Sequence, residues 1–153
     1  MPKTLIDVTG LDELIARMKR YPVEMAKGME LTMKATLLTL WENVPPYPAP
    51  PPDSAYDRTG TLGRSLGSDI GGGQGVGEPS VFVVRKLGAG FEGKFGTNLE
   101  YAPLVIGDDT QAEVHRGRWY TMRTIASRAS EKINRLWQTL GEQMARFLEG
   151  QGK

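Results

Sequence analysis

Residues 45–52 read Pro-Pro-Tyr-Pro-Ala-Pro-Pro-Pro, six prolines in eight positions. Proline lacks a backbone N–H and fixes φ, so neither a helix nor a central strand passes through such a run. The segment must be polyproline II or turn, reaching about 25 Å at ~3.1 Å per residue. A rigid spacer is favoured over a ligand for an aromatic groove, because composition alone is a weak signal for the latter. A second stretch, residues 71–77, holds five glycines in seven. Glycine loses the most backbone entropy on ordering, so this stretch is expected to be mobile by itself. Together the two runs predict a Pro/Gly-rich arm over 45–79 that orders only against something else.

Helical signals precede the arm. Thr9-Gly10-Leu11-Asp12-Glu13 places a cap and acids at a helix start, where free amides and the helix dipole favour them. Leu11, Leu14, Ile15 and Met18 follow at helical spacing, and Pro22 ends that helix and opens the next. From about Pro22 to Val44, the residues Met25, Met29, Met33, Leu37, Leu40, Trp41 and Val44 recur at three- and four-residue steps and predict one core face. Residues 9–44 are thus expected to be two helices. Within the arm, residues 57–66 predict a turn and a short helix.

Sheet signals follow. Ser80-Val81-Phe82-Val83-Val84-Arg85-Lys86-Leu87 is β-branched and aromatic. Gly88-Ala89-Gly90 supplies a turn, and Phe91–Thr97 alternates apolar or small with polar residues, as the returning half of a hairpin does. Residues 101–107 predict a short edge strand after Pro103, which completes a sheet region over 80–107. A loop is expected over 108–119. A last helix over 120–149 carries Met122, Ile125, Ala129, Ile133, Leu136, Trp137, Leu140, Met144, Phe147 and Leu148 on one stripe, and its ~29 residues make about 43 Å. The predicted architecture is a single α+β domain: a small antiparallel sheet, hairpin plus edge strand, packed against amphipathic helices. Trp137 is expected in the helix–sheet core.

Composition narrows the chemistry. The chain has no cysteine, which excludes disulfides, thiolate metal sites and a cysteine nucleophile. The N-terminus has no secretory pattern and no apolar run approaches the ~20 residues that span a bilayer, so a soluble protein without membrane contact is expected. Basic and acidic residues nearly balance, 19 against 18. Even the most basic segment, residues 108–153, has only eight basic against six acidic side chains. A dedicated phosphate-neutralising surface needs more.

Asp108, Asp109, Glu113 and His115 form the one cluster with metal-ligand chemistry. His115 is the only histidine, and no HExxH or calcium-loop spacing accompanies it, so an acidic turn with a surface histidine is favoured over a metal-dependent enzyme. Ser65 lacks a nucleophile-elbow context. Arg116, Arg118, Arg123 and Arg128, near Trp119 and Tyr120, have the types that stack on bases or touch phosphates. A solvated helix start with an aromatic anchor is favoured over that. No catalytic, cofactor or metal residues are expected, and the chain reads as a non-enzyme.

Several segments carry a family resemblance. Val8-Thr9-Gly10-Leu11-Asp12-Glu13-Leu14 precedes the helices. Arg58-Thr59-Gly60-Thr61-Leu62-Gly63-Arg64-Ser65-Leu66 follows them, with a Thr-Gly-x-Leu-x-x-Ser pattern. After the hairpin comes Gly96-Thr97-Asn98-Leu99-Glu100-Tyr101-Ala102-Pro103. In this order the segments resemble the minor tail, tail-completion and head–tail joining proteins of long-tailed double-stranded DNA bacteriophages. Where that family has a glutamate before x-Gly, this chain has Val105-Ile106-Gly107, which puts any contact through that glutamate in doubt. His115-Arg116-Gly117-Arg118-Trp119 looks like a variant ending.

The resemblance implies a structural subunit of the virion neck or tail, made in the host cytoplasm. It implies a ring of copies between a portal or connector and a tail-tube or tail-terminator protein, with at most passive contact with DNA in the channel. Candidate assembly-interface residues are Pro46, Tyr47, Pro50, Arg58, Thr59, Gly60, Leu62, Tyr101, His115, Arg118 and Trp119. A nucleic-acid-contacting accessory protein is the alternative, and a metal-dependent enzyme ranks last.

Overall fold

Val81–Leu87 and Gly90–Thr97 form the expected hairpin, the strands β2 and β3, with Leu87 opposite Gly90 and Phe82 opposite Phe95. The computed structural model describes residues 4–8, 23–55, 58–88 and 90–148. A further strand, β1, spans Thr4–Val8 and pairs antiparallel with the free edge of β3, giving the sheet order β1-β3-β2. No element is expected at residues 4–8 from the sequence. The predicted edge strand at 101–107 is a short helix instead, Ala102–Ile106. Pro103 explains the difference: in the first turn of a helix its missing N–H has no bond to lose. The first predicted helix, residues 9–21, lies outside the described residues, as do Ala89 and Glu149.

The long helices are α1, Val23–Glu42, and α4, Met122–Leu148, with α2, Thr61–Ser65, and α3, Ala102–Ile106, between them. The fold is α+β, with helices packed against a small antiparallel sheet. The methionine stripe of α1 is its core face: Met25, Met29, Met33, Leu37 and Leu40 are buried. Thr36 and Thr39 share that burial because their hydroxyls donate to the carbonyls of Thr32 and Ala35, one turn back. The helix meets the middle strand closely. A side chain at Gly93 would start only 2.6 Å from the Met33 sulfur, so glycine lets β3 take the helix at this distance.

Two apolar clusters result. The larger joins Leu37, Leu40 and Val44 to Leu62, Leu66, Phe95, Ile106, Met122 and Ile125. The smaller joins Met25 and Met29 to Leu140 and Met144, with Phe91 and Trp137 against them. Lys132 reaches Glu42 while Trp137 reaches Thr36, so α1 and α4 run antiparallel. The start of α4 is capped twice. Asp108 accepts the Arg123 N–H at 2.8 Å, and the Thr121 N–H donates to the Thr124 hydroxyl at 3.1 Å.

Trp137 belongs to the helix–helix cluster rather than to the helix–sheet core. It is half-buried and its indole N–H donates to the Thr36 hydroxyl at 3.0 Å. Trp137→Ala is therefore expected to cost roughly 2–3 kcal/mol, below the range for a fully buried ring. Urea unfolding checks this, and a loss under about 1 kcal/mol would contradict the placement.

The arm is corrected most. Residues 44–47 and 67–75 do not wait for a neighbour; they pack on each other. Gly73 N–H donates to the Val44 carbonyl and Tyr47 N–H to the Ile70 carbonyl, both at 2.8 Å. Trp41 anchors the other side, its indole N–H donating to the Gly67 carbonyl at 2.6 Å. Prolines have no N–H to offer, so the loop bonds to the Val44 carbonyl just ahead of the run and to the Tyr47 amide within it. At Gly72, φ is +84°, and a side chain would lie 2.6–2.8 Å from backbone atoms of Val44, Pro45 and Pro46. Glycine content here reflects backbone lying on backbone.

Candidate functional site

Tyr47 is the first piece of a concave site, because the docked proline run points it inward. Its hydroxyl oxygen accepts the Gly63 N–H at 2.5 Å, which ties the run to α2. Its ring meets Trp119 edge-on, with centroids 4.8 Å apart. Trp119 in turn is fixed by the loop before α4. Its N–H donates to the His115 carbonyl at 2.9 Å. Its carbonyl accepts from the Gln111 amide at 3.1 Å, and the same nitrogen donates to the Val105 carbonyl at 2.8 Å. Gln111 is buried and holds α3 and the loop together. Arg116 adds a bond from Nε to the Gln111 carbonyl.

Arg58 lies against both rings. Its guanidinium carbon is 5.1 Å from the Trp119 centroid and 5.8 Å from that of Tyr47. Both distances are within cation–π range. Its Nε and Nη1 are buried and have no hydrogen-bond partner. Buried cationic donors are normally paired, because desolvating them unpaired is costly. Arg58 therefore brings a buried positive charge with two unsatisfied donors to the edge of the site.

A cavity of about 310 Å³ opens beside this stack. Of the candidate interface residues, Tyr47, Arg58, Thr59, Gly60, Leu62, Tyr101, His115, Arg118 and Trp119 all line it. Pro46 lies instead under the glycine loop and Pro50 is exposed outside the lining. Pro51, Ser54, Thr61, Val105 and Val114 complete the wall. Sequence reading missed these five. Val105 was hidden by the strand assignment, and Gln111, which positions Trp119, is a single amide in a loop with no motif around it.

The Thr-Gly-x-Leu-x-x-Ser segment now has a physical reading. Gly60, with φ +71°, turns the chain into α2, and Leu62 enters the larger core. Ser65 is 2.6 Å, hydroxyl to hydroxyl, from the fully buried Thr97 and donates to the Leu62 carbonyl, fastening α2 to β3. Its hydroxyl is a structural link. Among the described residues, no group of three His, Cys, Asp or Glu side chains is placed to hold a metal. Asp108 is engaged as a helix cap.

Burial raises the Tyr47 phenol above its usual pKa and outweighs the opposing hydrogen bond from Gly63. Burial raises Tyr120 further, with Tyr47 adding to it. The Tyr120 hydroxyl has no hydrogen-bond partner. The folded state therefore holds both phenols neutral, while the unfolded chain ionises them near pH 10. Their contribution to stability is complete below that pH and is lost as pH climbs toward the folded values. Tyr120→Phe is expected to stay within about 1 kcal/mol of wild type at neutral pH, since the lost oxygen leaves no partner behind. It should also move alkaline unfolding to higher pH. Denaturant melts across pH 8–12 test this (the range brackets the ordinary tyrosine value), and identical alkaline limbs for both proteins would refute it.

Comparison with known proteins finds no family model that matches this chain, no similar curated protein and no similar solved structure.

Proposed function

We propose that this protein is a non-catalytic structural subunit that assembles with copies of itself, at the head–tail junction of a long-tailed bacteriophage. The observation that carries this reading is convergence. Residues from three separate segments of the family resemblance, around Tyr101, Arg58–Leu62 and His115–Trp119, meet at one cavity. The cavity has the chemistry of an anchoring socket: aromatic and aliphatic lining with two arginines, Arg58 and Arg118. Aromatic and arginine side chains dominate the energetics of protein interfaces. Its described lining includes no carboxylate, and the Ser65 hydroxyl is held elsewhere. Ring subunits meet head to tail, which requires one surface to accept a different surface of the next copy.

Sedimentation velocity across a concentration series tests this. The wild type is expected to sediment as an oligomer at high concentration. Trp119→Ala, which opens the aromatic stack, should sediment as a folded monomer under the same conditions, with far-UV circular dichroism unchanged. Equal sedimentation of the two proteins would contradict the socket's role.

A second reading, contact with nucleic acid, draws on the same aromatic and arginine side chains, which also stack on bases. It predicts binding to single-stranded DNA that weakens steeply with salt and depends on Arg118. An absence of binding at low salt removes it.

A further inference from the structure

We propose that the socket receives the tip of the glycine-rich loop, residues 76–78, from a second copy of this chain. This rests on the self-assembly reading and names the partner surface. The socket asks for a carboxylate next to a small aliphatic group. Arg58 brings two buried, unpartnered nitrogens and Arg118 adds a second cation, while no acidic side chain lines the cavity among the described residues. Leu62, Val114 and Trp119 supply apolar wall. The exposed Arg118 can take a carboxylate in short charge-assisted bonds, and the charge of Arg58 in the same cavity wall adds to the attraction.

The loop tip carries that pair of groups. Val76 is 97% exposed, more than any other large apolar side chain described. Glu78 is exposed, and no ion pair to it is found among the described residues. Gly77 stands between them at φ +108°, with nothing within 4 Å of where a side chain would begin. The tip is nonetheless held firmly from both sides. Gly75 N–H donates to the Gly67 carbonyl at 2.8 Å, and Pro79 is buried and bridges to Leu66. A short projection on fixed ends gives up little entropy on insertion. Glu30 and Glu42, by contrast, are engaged within the subunit, with Lys34 and Lys132.

Tip and socket share no residues, so the contact is heterologous. Repeated from copy to copy, such a contact builds a ring when its rotation closes. It also assigns the glycine run a role: its base packs on its own subunit, and only its tip crosses to the next.

Charge reversal tests the pairing, read by sedimentation velocity on full-length protein. Glu78→Arg and Arg118→Glu are both at exposed positions, and circular dichroism checks that each variant is folded. Each alone is expected to weaken self-association at least about tenfold, as an unpaired or like-charged contact does at an interface. Mixing the two variants should restore association, because the reversed tip of one meets the reversed socket of the other. Wild-type assembly by both variants would overturn this pairing and leave the self-assembly reading standing. Weakened variants that stay apart when mixed would also overturn it. A wild type that remains monomeric at every concentration would overturn both readings.

Discussion

Phe95→Ala is expected to cost roughly 3–5 kcal/mol, the range for deleting a fully buried ring. Phe95 lies on the middle strand of the sheet, opposite Ile6 on one side and Phe82 on the other, and is fully buried. It belongs to the cluster that holds Leu37 and Leu40 of α1, Ile106 of α3 and Ile125 of α4. That cluster draws on the sheet and on both long helices. Collapse into the space is opposed by the sheet on one side and the helices on the other, so the cavity term is expected in full. Since domains of this size are stable by only about 5–15 kcal/mol, the variant should be marginal. Urea midpoints at constant slope check this. A loss below about 1.5 kcal/mol would mean that the sheet is not centred on β3.

Gly72→Ala should cost roughly 2–4 kcal/mol, unusually large for a loop residue. Two effects act together: a left-handed backbone that disfavours any side chain, and a methyl driven into main-chain atoms of Val44 and Pro45. Main chain cannot swing aside as a flexible side chain does. The glycine run would have to lift from the proline run, losing the bonds from Gly73 to Val44 and from Tyr47 to Ile70. Because Tyr47 walls the cavity, self-association should fall as well. Gly77→Ala is the control. Its surroundings are open, so only backbone strain contributes there. A Gly72 variant no less stable than the Gly77 variant would show that the two runs are not docked.

These two residues mark how far the chain could be read without its structure. The helical faces of α1 and α4 were legible, because a 3.6-residue period of Met, Leu and Ile is local information. So was the hairpin, because β-branched residues flank a glycine turn. Strand β1 was not. Five residues, Thr-Leu-Ile-Asp-Val, pair with β3 some ninety positions later, and nothing local announces a long-range partner. Pro103 was read as the start of an edge strand because Val105 and Ile106 follow it, yet proline suits a first helical turn equally well. The glycine run was misread for a different reason. Composition cannot distinguish glycines that loosen a chain from glycines that let two backbones touch.

The site was legible in parts and not as a whole. Nine of the candidate interface residues do line the cavity, but their convergence follows from tertiary packing. The Gln111 bridge and the Trp119–Arg58–Tyr47 stack decide it, and neither follows from spacing along the chain. Val105 lines the cavity, and among the described residues no carboxylate does.

The central claim is that this molecule's work is to hold position among copies of itself. Negative-stain electron micrographs of the purified full-length protein at high concentration test it most directly. Closed annular particles of one uniform diameter are the predicted result. A field of isolated single subunits at every concentration, with sedimentation in agreement, would contradict it.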